Sequence, residues 1–362
     1  MEITDLRIDL VTSVGIHSGI GRYAEELLRV LSPGIPNLKL YLFSSLSSCE
    51  LERAVSLSVR QTNNKFRAIL SNRKNLKEIK KQELFRGGGL HLLGSDYSLS
   101  STSDNFVMTI HEMYYILFDV FRAHSVPEMI KEEFFNLNVL KLKRIANLSR
   151  GIVVPSKYAS SQVQRNIGVK PKVIHHVVDG SKFHKREKEK VREQLGLPVN
   201  KYIALNVSGG GSNKNLRVLE RIVNSLSGDI IFIKINEPLN SKRSTNLGIV
   251  PESLYSLYFS AADFYVNTSV NEGFGIPLLE SLKCGLPVIS NKRATAEEIL
   301  SYAGSYVRDP FDHVEYVDEI DLLKDKKYNL EFSERSVSRG LDFSDETFFR
   351  EYLKFYNESF RL

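Results

Sequence analysis

Cysteine is nearly absent: the 362 residues hold two, Cys49 and Cys284, in unrelated surroundings. Two isolated thiols make neither a disulfide framework nor a metal cluster, and they suit a reducing compartment. Long apolar runs are missing as well. Nowhere do about 18 consecutive apolar residues occur, the length at which a helix begins to span a bilayer. The N-terminus, MEITDLRIDLV, has acidic residues where a secretory leader carries basic ones. A cytoplasmic location is the expectation. No short-period repeat and no low-complexity tract is present. Neither charge dominates: 49 Lys and Arg face 43 Asp and Glu, a formal net charge of +6. The basic residues are scattered rather than gathered into a stripe interleaved with aromatics, so nucleic acid is not an expected partner.

What is present is an alternation of short apolar runs with helical patterns. LRIDLVTS, LKLYLFSS, GLHLLGS, FVMTIHE, GIVVPS and KVIHHVVDG read as buried strands bounded by Gly, Ser or polar residues. Between them, GIGRYAEELLRVLS has its apolar residues at helical spacing, and segments 126–149 and 156–167 read as helices. A charged stretch, SKFHKREKEKVREQLGLPVNK, has no strand pattern and marks a domain boundary near 178–200. The scheme then repeats through YIALNVS, DIIFIKIN, DFYVNTS, GLPVIS and GSYVRD as strands, with helices between. The pattern predicts an α/β protein of two doubly wound, Rossmann-like domains facing a cleft. The expected bounds are 1–178 and 179–343, with a C-terminal helix at 344–362 packing back on the first domain. Ligands of such sheets sit beyond the carboxyl ends of strands, next to helix N-termini.

The stretch NEGFGIPLLESLKCG, 271–285, follows one of these strand ends. Gly273 and Gly275 let the backbone turn sharply close to a ligand. A helix opening near Ile276, with Pro277 in the first helical position, would aim free N–H groups and a positive dipole end at that turn. That arrangement suits a phosphate or diphosphate. Glu272 before the turn and Glu280 inside the helix would repel phosphates, so they are expected to grip neutral hydroxyls on either side. A diphosphate flanked by hydroxyls is a nucleotide-sugar.

This region, EGFGIPLLESLKCGLPVIS, resembles the E-x7-E signature of the retaining GT-B glycosyltransferases of family 4, the group 1 glycosyltransferases. The likeness extends through LGIVPESLYSLYFSAADFYVNTS upstream and NKRATAEEILSYAGSYVRDPFD downstream. SGIGRYAEELLRVL is similar to the N-terminal motif of mannosyltransferase-like members. The resemblance implies roles. Glu272 would bind the transferred sugar and Glu280 the donor ribose. Backbone amides of Gly273, Phe274, Gly275 and Ile276 would hold sugar and diphosphate, and Lys214, supported by Asn215, would neutralise the leaving group. Gly248 to Val250 would line the base pocket. Gly19 and Gly21 would approach from the first domain, and His111, just after FVMTI, would sit at sugar and acceptor. Many members carry an arginine five or six residues before the lysine. Here Gly209 and Ser208 stand there, and Asn213 directly precedes Lys214, which leaves Arg217 or Arg22 as helpers.

The implied reaction moves a hexose from GDP-mannose or a UDP-hexose to a glycan or lipid-linked hydroxyl, without cofactor or divalent metal. His175 and His176 read as structural. A helix around 134–150, with Phe135, Val139, Leu142 and Ile145 beside Lys141, Lys143, Arg144 and Arg150, leaves open a peripheral contact with an anionic membrane. The basic stretch 72–86 reads as a solvated helix face. Two readings compete: another sugar-nucleotide enzyme of the same fold, an epimerase or glycan synthase, and a basic polyanion-binding protein.

Overall fold

The computed structural model describes residues 6–9, 19–35, 39–41, 89–93, 105–113 and 139–360. The expected helix at 72–86, the first part of the helix at 126–149, and residues 10–18 before Gly19 lie outside the described residues, as does Cys49. The chain divides into two compact units, Met1–Val177 with Ser344–Leu362, and Val178–Phe343.

The first unit holds a parallel sheet of β1 (Leu6–Asp9), β2 (Lys39–Tyr41), β3 (Gly89–Leu92), β4 (Phe106–Thr109), β5 (Gly151–Val154) and β6 (Lys172–Val173). Its order is β2-β1-β3-β4-β5-β6. The run KVIHHVVDG is therefore a strand for only two residues. The Ile174 amide makes the last bond to β5, to the Val154 carbonyl at 3.0 Å; the chain then leaves the sheet, and Ile174 and Val177 are buried in the core.

Helix α1 (Gly19–Leu31) buries Tyr23, Leu27 and Leu31 at i, i+4 and i+8. A helix seen over 139–148 (α2) buries Leu142, Ile145 and Ala146 against Leu90, Phe106 and Ile152 of the sheet. Of the stripe considered for a membrane surface, Leu142 and Ile145 thus face the core, Val139 is half-buried, and Phe135 lies outside the described residues. Helix α3 (Lys157–Ile167) is capped by Ser156, whose Oγ accepts from the Ala159 amide at 3.0 Å, and stops at Gly168 in the left-handed region.

The second unit is a parallel sheet of β7 (Tyr202–Ser208), β8 (Ile230–Asn236), β9 (Ser244–Gly248), β10 (Phe264–Val266), β11 (Val288–Asn291) and β12 (Gly304–Val307). The order β12-β11-β10-β7-β8-β9 is that of a dinucleotide-binding sheet, with its topological switch point between β7 and β10. Sequence patterning missed β9, STNLG. An edge strand paired only with β8 and largely open to solvent needs no apolar alternation. Patterning also missed α4 (Lys188–Leu195), inside the charged stretch.

Arg192 of α4 is 4% exposed, and its guanidinium donates to Asp263 Oδ2 at 2.6 Å, the Ala261 carbonyl at 2.8 Å and the Lys201 carbonyl at 2.9 Å. Asp263 also accepts from the Ile203 amide at 2.7 Å and Lys188 Nζ at 2.7 Å. A polar clamp beside the single buried apolar residue Val191 seats this helix. The sheet itself is covered by α5 (Leu216–Ser225) and α9 (His313–Leu322) on one face, and by α6 (Glu252–Ala261) and α7 (Ile276–Lys283) on the other. Helices α8 (Ala296–Leu300) and α10 (Lys326–Leu341) complete the unit.

The last helix, α11 (Asp345–Phe360), belongs to the first unit. It buries Phe348, Tyr352, Tyr356 and Phe360 among Tyr23, Leu27, Val107 and Val153. Its hydroxyls end in a buried network. Tyr352 OH bonds Tyr23 OH, which also bonds Thr109 Oγ1 at 3.0 Å. His91 joins Tyr356 OH at 2.7 Å through Nδ1 and Thr109 Oγ1 at 2.8 Å through Nε2.

Candidate functional site

Two loops leave the carboxyl ends of β7 and β10, the strands that flank the switch point. The loop after β7 runs through Gly209, Gly210 and Gly211 into a single 3-10 turn, Ser212–Lys214, and then into α5. Asn215, at φ 54°, makes the left-handed step between them, and its Nδ2 donates to the Pro310 carbonyl at 3.0 Å. The loop after β10 runs from Asn267 to Gly275 and opens α7.

The two loops are stitched together. The Val270 amide donates to the Asn213 carbonyl at 2.9 Å, Asn213 Nδ2 to the Asn271 carbonyl at 2.7 Å, and Thr268 Oγ1 to the Lys214 carbonyl at 2.8 Å. Across this seam Lys214 Nζ lies 3.1 Å from Glu272 Oε1. Asn213 is thus a buried loop tie, 2% exposed, whose Oδ1 has no hydrogen-bond partner among the described residues.

Gly275 caps α7 at φ 87°, and a Cβ there would stand 2.9 Å from Leu278 Cδ1. Only glycine makes this turn without strain. The helix then starts at Ile276, so Pro277 is its second residue rather than its first, where the missing N–H still costs nothing. The amides at this mouth carry the positive end of the helix. Phe274 is buried edge-on to Phe343, and its carbonyl accepts from Thr295 Oγ1 at 3.0 Å, which anchors the turn from below. Gly273 is buried beside it. Glu280, one turn inside α7, is 1% exposed, and its Oε2 accepts from Tyr255 OH at 2.9 Å. Gly248 ends β9 at φ 63°, followed by exposed Ile249 and buried Val250.

The structure therefore brings Lys214, Asn215, Glu272, Gly273, Phe274, Gly275 and Ile276 to one strand-end cluster, with Glu280 in the helix behind it. Arg217 is exposed in the first turn of α5. Gly19, Gly21 and His111 belong to the first unit. Gly19 and Gly21 lie within the first turn of α1 rather than in a free turn.

His111 bonds the Leu93 carbonyl through Nε2 at 2.8 Å, which makes Nε2 the protonated nitrogen. Its ring stands edge-on to Tyr23 and beside His176. Burial pushes its pKa down to about 4, against the smaller upward pull of the Leu93 carbonyl. It is a neutral imidazole near pH 7.

Sequence reasoning passed over one ionisable side chain at this strand end. Lys234, in the apolar run IIFIKIN of β8, is fully buried. Its Nζ donates to the Ser208 carbonyl at 2.7 Å and the Ile235 carbonyl at 2.8 Å. Burial lowers its pKa to about 7, with Glu237 raising it and Lys214 lowering it. A lysine in the middle of a buried strand is the signal that was there to find.

Residues 234–339 match the family model described as glycosyl transferases group 1. The matched segment covers less than a third of the chain. It contains the whole loop after β10, both glutamates and Lys234. An Escherichia coli O-antigen chain mannosyltransferase B is 39% identical over 66 residues, 18% of this chain and 17% of that protein. A Streptococcus pneumoniae alpha-monoglucosyldiacylglycerol synthase is 23% identical over 175 residues, 42% of this chain and 39% of that protein. The chain thus matches well under half the length of either relative. The Anabaena protein HepE, solved with UDP and glucose, superposes with a TM-score of 0.75 at 14% identity, covering 97% of this chain and 99% of its own. The fold is that of the GT-B glycosyltransferases.

Proposed function

We propose that the protein is a glycosyltransferase that moves a hexose, with retention, from a nucleoside-diphosphate sugar to a hydroxyl of a glycan or lipid-linked acceptor. One observation carries this reading: the 3.1 Å pair of Lys214 and Glu272, stitched between two switch-point loops beside the mouth of α7. A diphosphate competes with Glu272 for the Lys214 ammonium. As Lys214 turns to the anion, Glu272 becomes an acceptor for the hydroxyls of the sugar attached to it. The amides at Gly275 and Ile276 add the positive end of α7.

Both groups stabilise the charge that grows on the leaving diphosphate, and they need not reorganise to do so. Because cationic charge comes from Lys214 and a helix end, the reading assigns no step to a divalent ion. A double displacement would need a second carboxylate about 5 Å from its partner across the sugar. The residues favour instead attack by the acceptor on the face the diphosphate leaves, through an oxocarbenium-like state. HepE was solved with UDP and glucose and the Escherichia coli relative is named a mannosyltransferase, and both support a hexose donor.

The test is a panel of UDP- and GDP-hexoses. One donor should be hydrolysed slowly without acceptor and faster with a suitable glycan, in the presence of EDTA, and the anomeric configuration of the product should match that of the donor. Glu272→Ala should abolish turnover while nucleoside diphosphate still binds. Absence of donor cleavage across the whole panel would refute the reading.

A further inference from the structure

The loop after β7 contributes one ammonium, Lys214, where the diphosphate reading asks for more positive charge, and neither Ser208 nor Gly209 supplies it. A second amine lies beneath the loop. Lys234 sits on the face of β8 that also carries Ile230 and Phe232, the face covered by α5. Its Nζ emerges at the carboxyl edge of the sheet, under the loop, and grasps the Ser208 carbonyl at the end of β7, where the loop begins. That same carbonyl accepts the Glu237 amide at 3.2 Å. The Glu237 side chain in turn lies against Gly210, where a Cβ would stand 2.9 Å from its Cδ. The charged groups bearing on Lys234 are Glu237 from the end of its own strand and Lys214 from the loop, and Lys214 is paired with Glu272. A full-time buried ammonium would be expensive here, since two carbonyls satisfy only two of its three N–H groups.

We propose that Lys234 is a positioning residue for the donor diphosphate: from beneath, it holds the loop that presents Lys214, and its amine takes up a proton from solvent as the anion enters. This rests on the diphosphate reading above and adds to it a residue on a different strand. The physical cause is local charge balance. Before the anion arrives, burial and the Lys214 ammonium hold the Lys234 pKa down to about 7. A dianion beside Lys214 reverses the sign of the nearby charge, and the lone pair of Nζ then captures a proton.

Isothermal titration calorimetry with UDP and GDP at pH 8, in buffers of different ionisation enthalpy, reads the proton directly. The wild-type protein should take up a substantial fraction of a proton, and its Kd should weaken as pH rises above 7. Lys234→Met should take up none and lose that pH dependence. It should bind about tenfold or more weakly, the size of one hydrogen bond to a charged group. Its melting temperature should not fall, because Met fills the same volume without a buried charge. Lys214→Met serves as the reference arm. If Lys234→Met binds and takes up protons like wild type while Lys214→Met loses binding, Lys234 has no such role and the donor reading stands. Weaker binding with unchanged proton uptake would make Lys234 merely structural, which also overturns the inference. If the wild type binds neither nucleotide nor pyrophosphate, the donor reading falls and this inference falls with it.

Discussion

At the scale of single residues, the site depends on backbone shape as much as on charge. Gly275 is the clearest case, with its left-handed φ and Leu278 pressed against the position of a Cβ. Gly275→Ala should cost about 1–2 kcal/mol in backbone strain alone. It should also weaken nucleoside diphosphate binding, since the amides of α7 swing with the turn. Chemical denaturation and a binding isotherm read the two effects separately. Glu280 differs in kind from Glu272. It is buried and bonded to Tyr255, so Glu280→Ala should remove the carboxylate that accepts from the Tyr255 hydroxyl. If Glu280 holds the donor ribose, that variant raises Kd for the nucleotide, whereas Glu272→Ala changes turnover. Equal effects of the two variants on Kd would argue against separate roles.

At the scale of elements, the clamp on α4 is the strongest local device. Helix α4 is poor in apolar residues, yet Arg192 and Asp263 fasten it to the sheet with charge-assisted bonds. Asp263→Ala leaves the Ile203 amide without this acceptor and the buried guanidinium without its carboxylate, with only carbonyls left to it. Breaking such a pair costs about 3–5 kcal/mol, read as a lower denaturation midpoint. A swap that removes both charges, Arg192→Met with Asp263→Asn, should recover part of that loss. The helix over 139–148 teaches the opposite lesson. Its stripe suited either the sheet or a membrane surface in sequence, and Leu142 and Ile145 are buried in the core while Lys141, Lys143 and Arg144 face outward.

At the scale of the molecule, the first unit is completed by residues from the far end of the chain. Tyr352 and Tyr356 reach Tyr23, Thr109 and His91 in its core. Deleting the chain after Phe343 should therefore abolish the calorimetric transition of the first unit and leave that of Val178–Phe343 nearly intact. The same core gives an acid limit. Burial lowers the pKa of His91 to about 3 and of His111 to about 4, and holds His176 well below its ordinary value. Each is neutral when folded and charges more readily when unfolded. Their stabilising contribution is complete above about pH 6.5, the unperturbed histidine value, and is lost as pH falls from there toward 4 and below. The first unit should melt earlier across that window. A melting temperature flat from pH 7 to pH 4 would contradict the burial of these rings.

The sequence alone determined the class of fold and the motif, because both are written in local patterns. Apolar runs of strand length alternate with amphipathic helices, and glycines and a proline punctuate one short helix start. Strand lengths were less legible: KVIHHVVDG has the apolar content of a strand but leaves the sheet after the Ile174 amide, and polar STNLG enters it as an edge. Pairing with a distant neighbour decides such cases, and no local pattern records it. The same reason hid the chemistry beneath the loop. Only the parallel register of β7 and β8 places the Lys234 amine against the Ser208 carbonyl, 26 residues away in sequence. Only the adjacency of β7 and β10 brings Lys214 to Glu272. A sequence fixes which charges exist, but the energy of a buried charge depends on what the fold sets beside it.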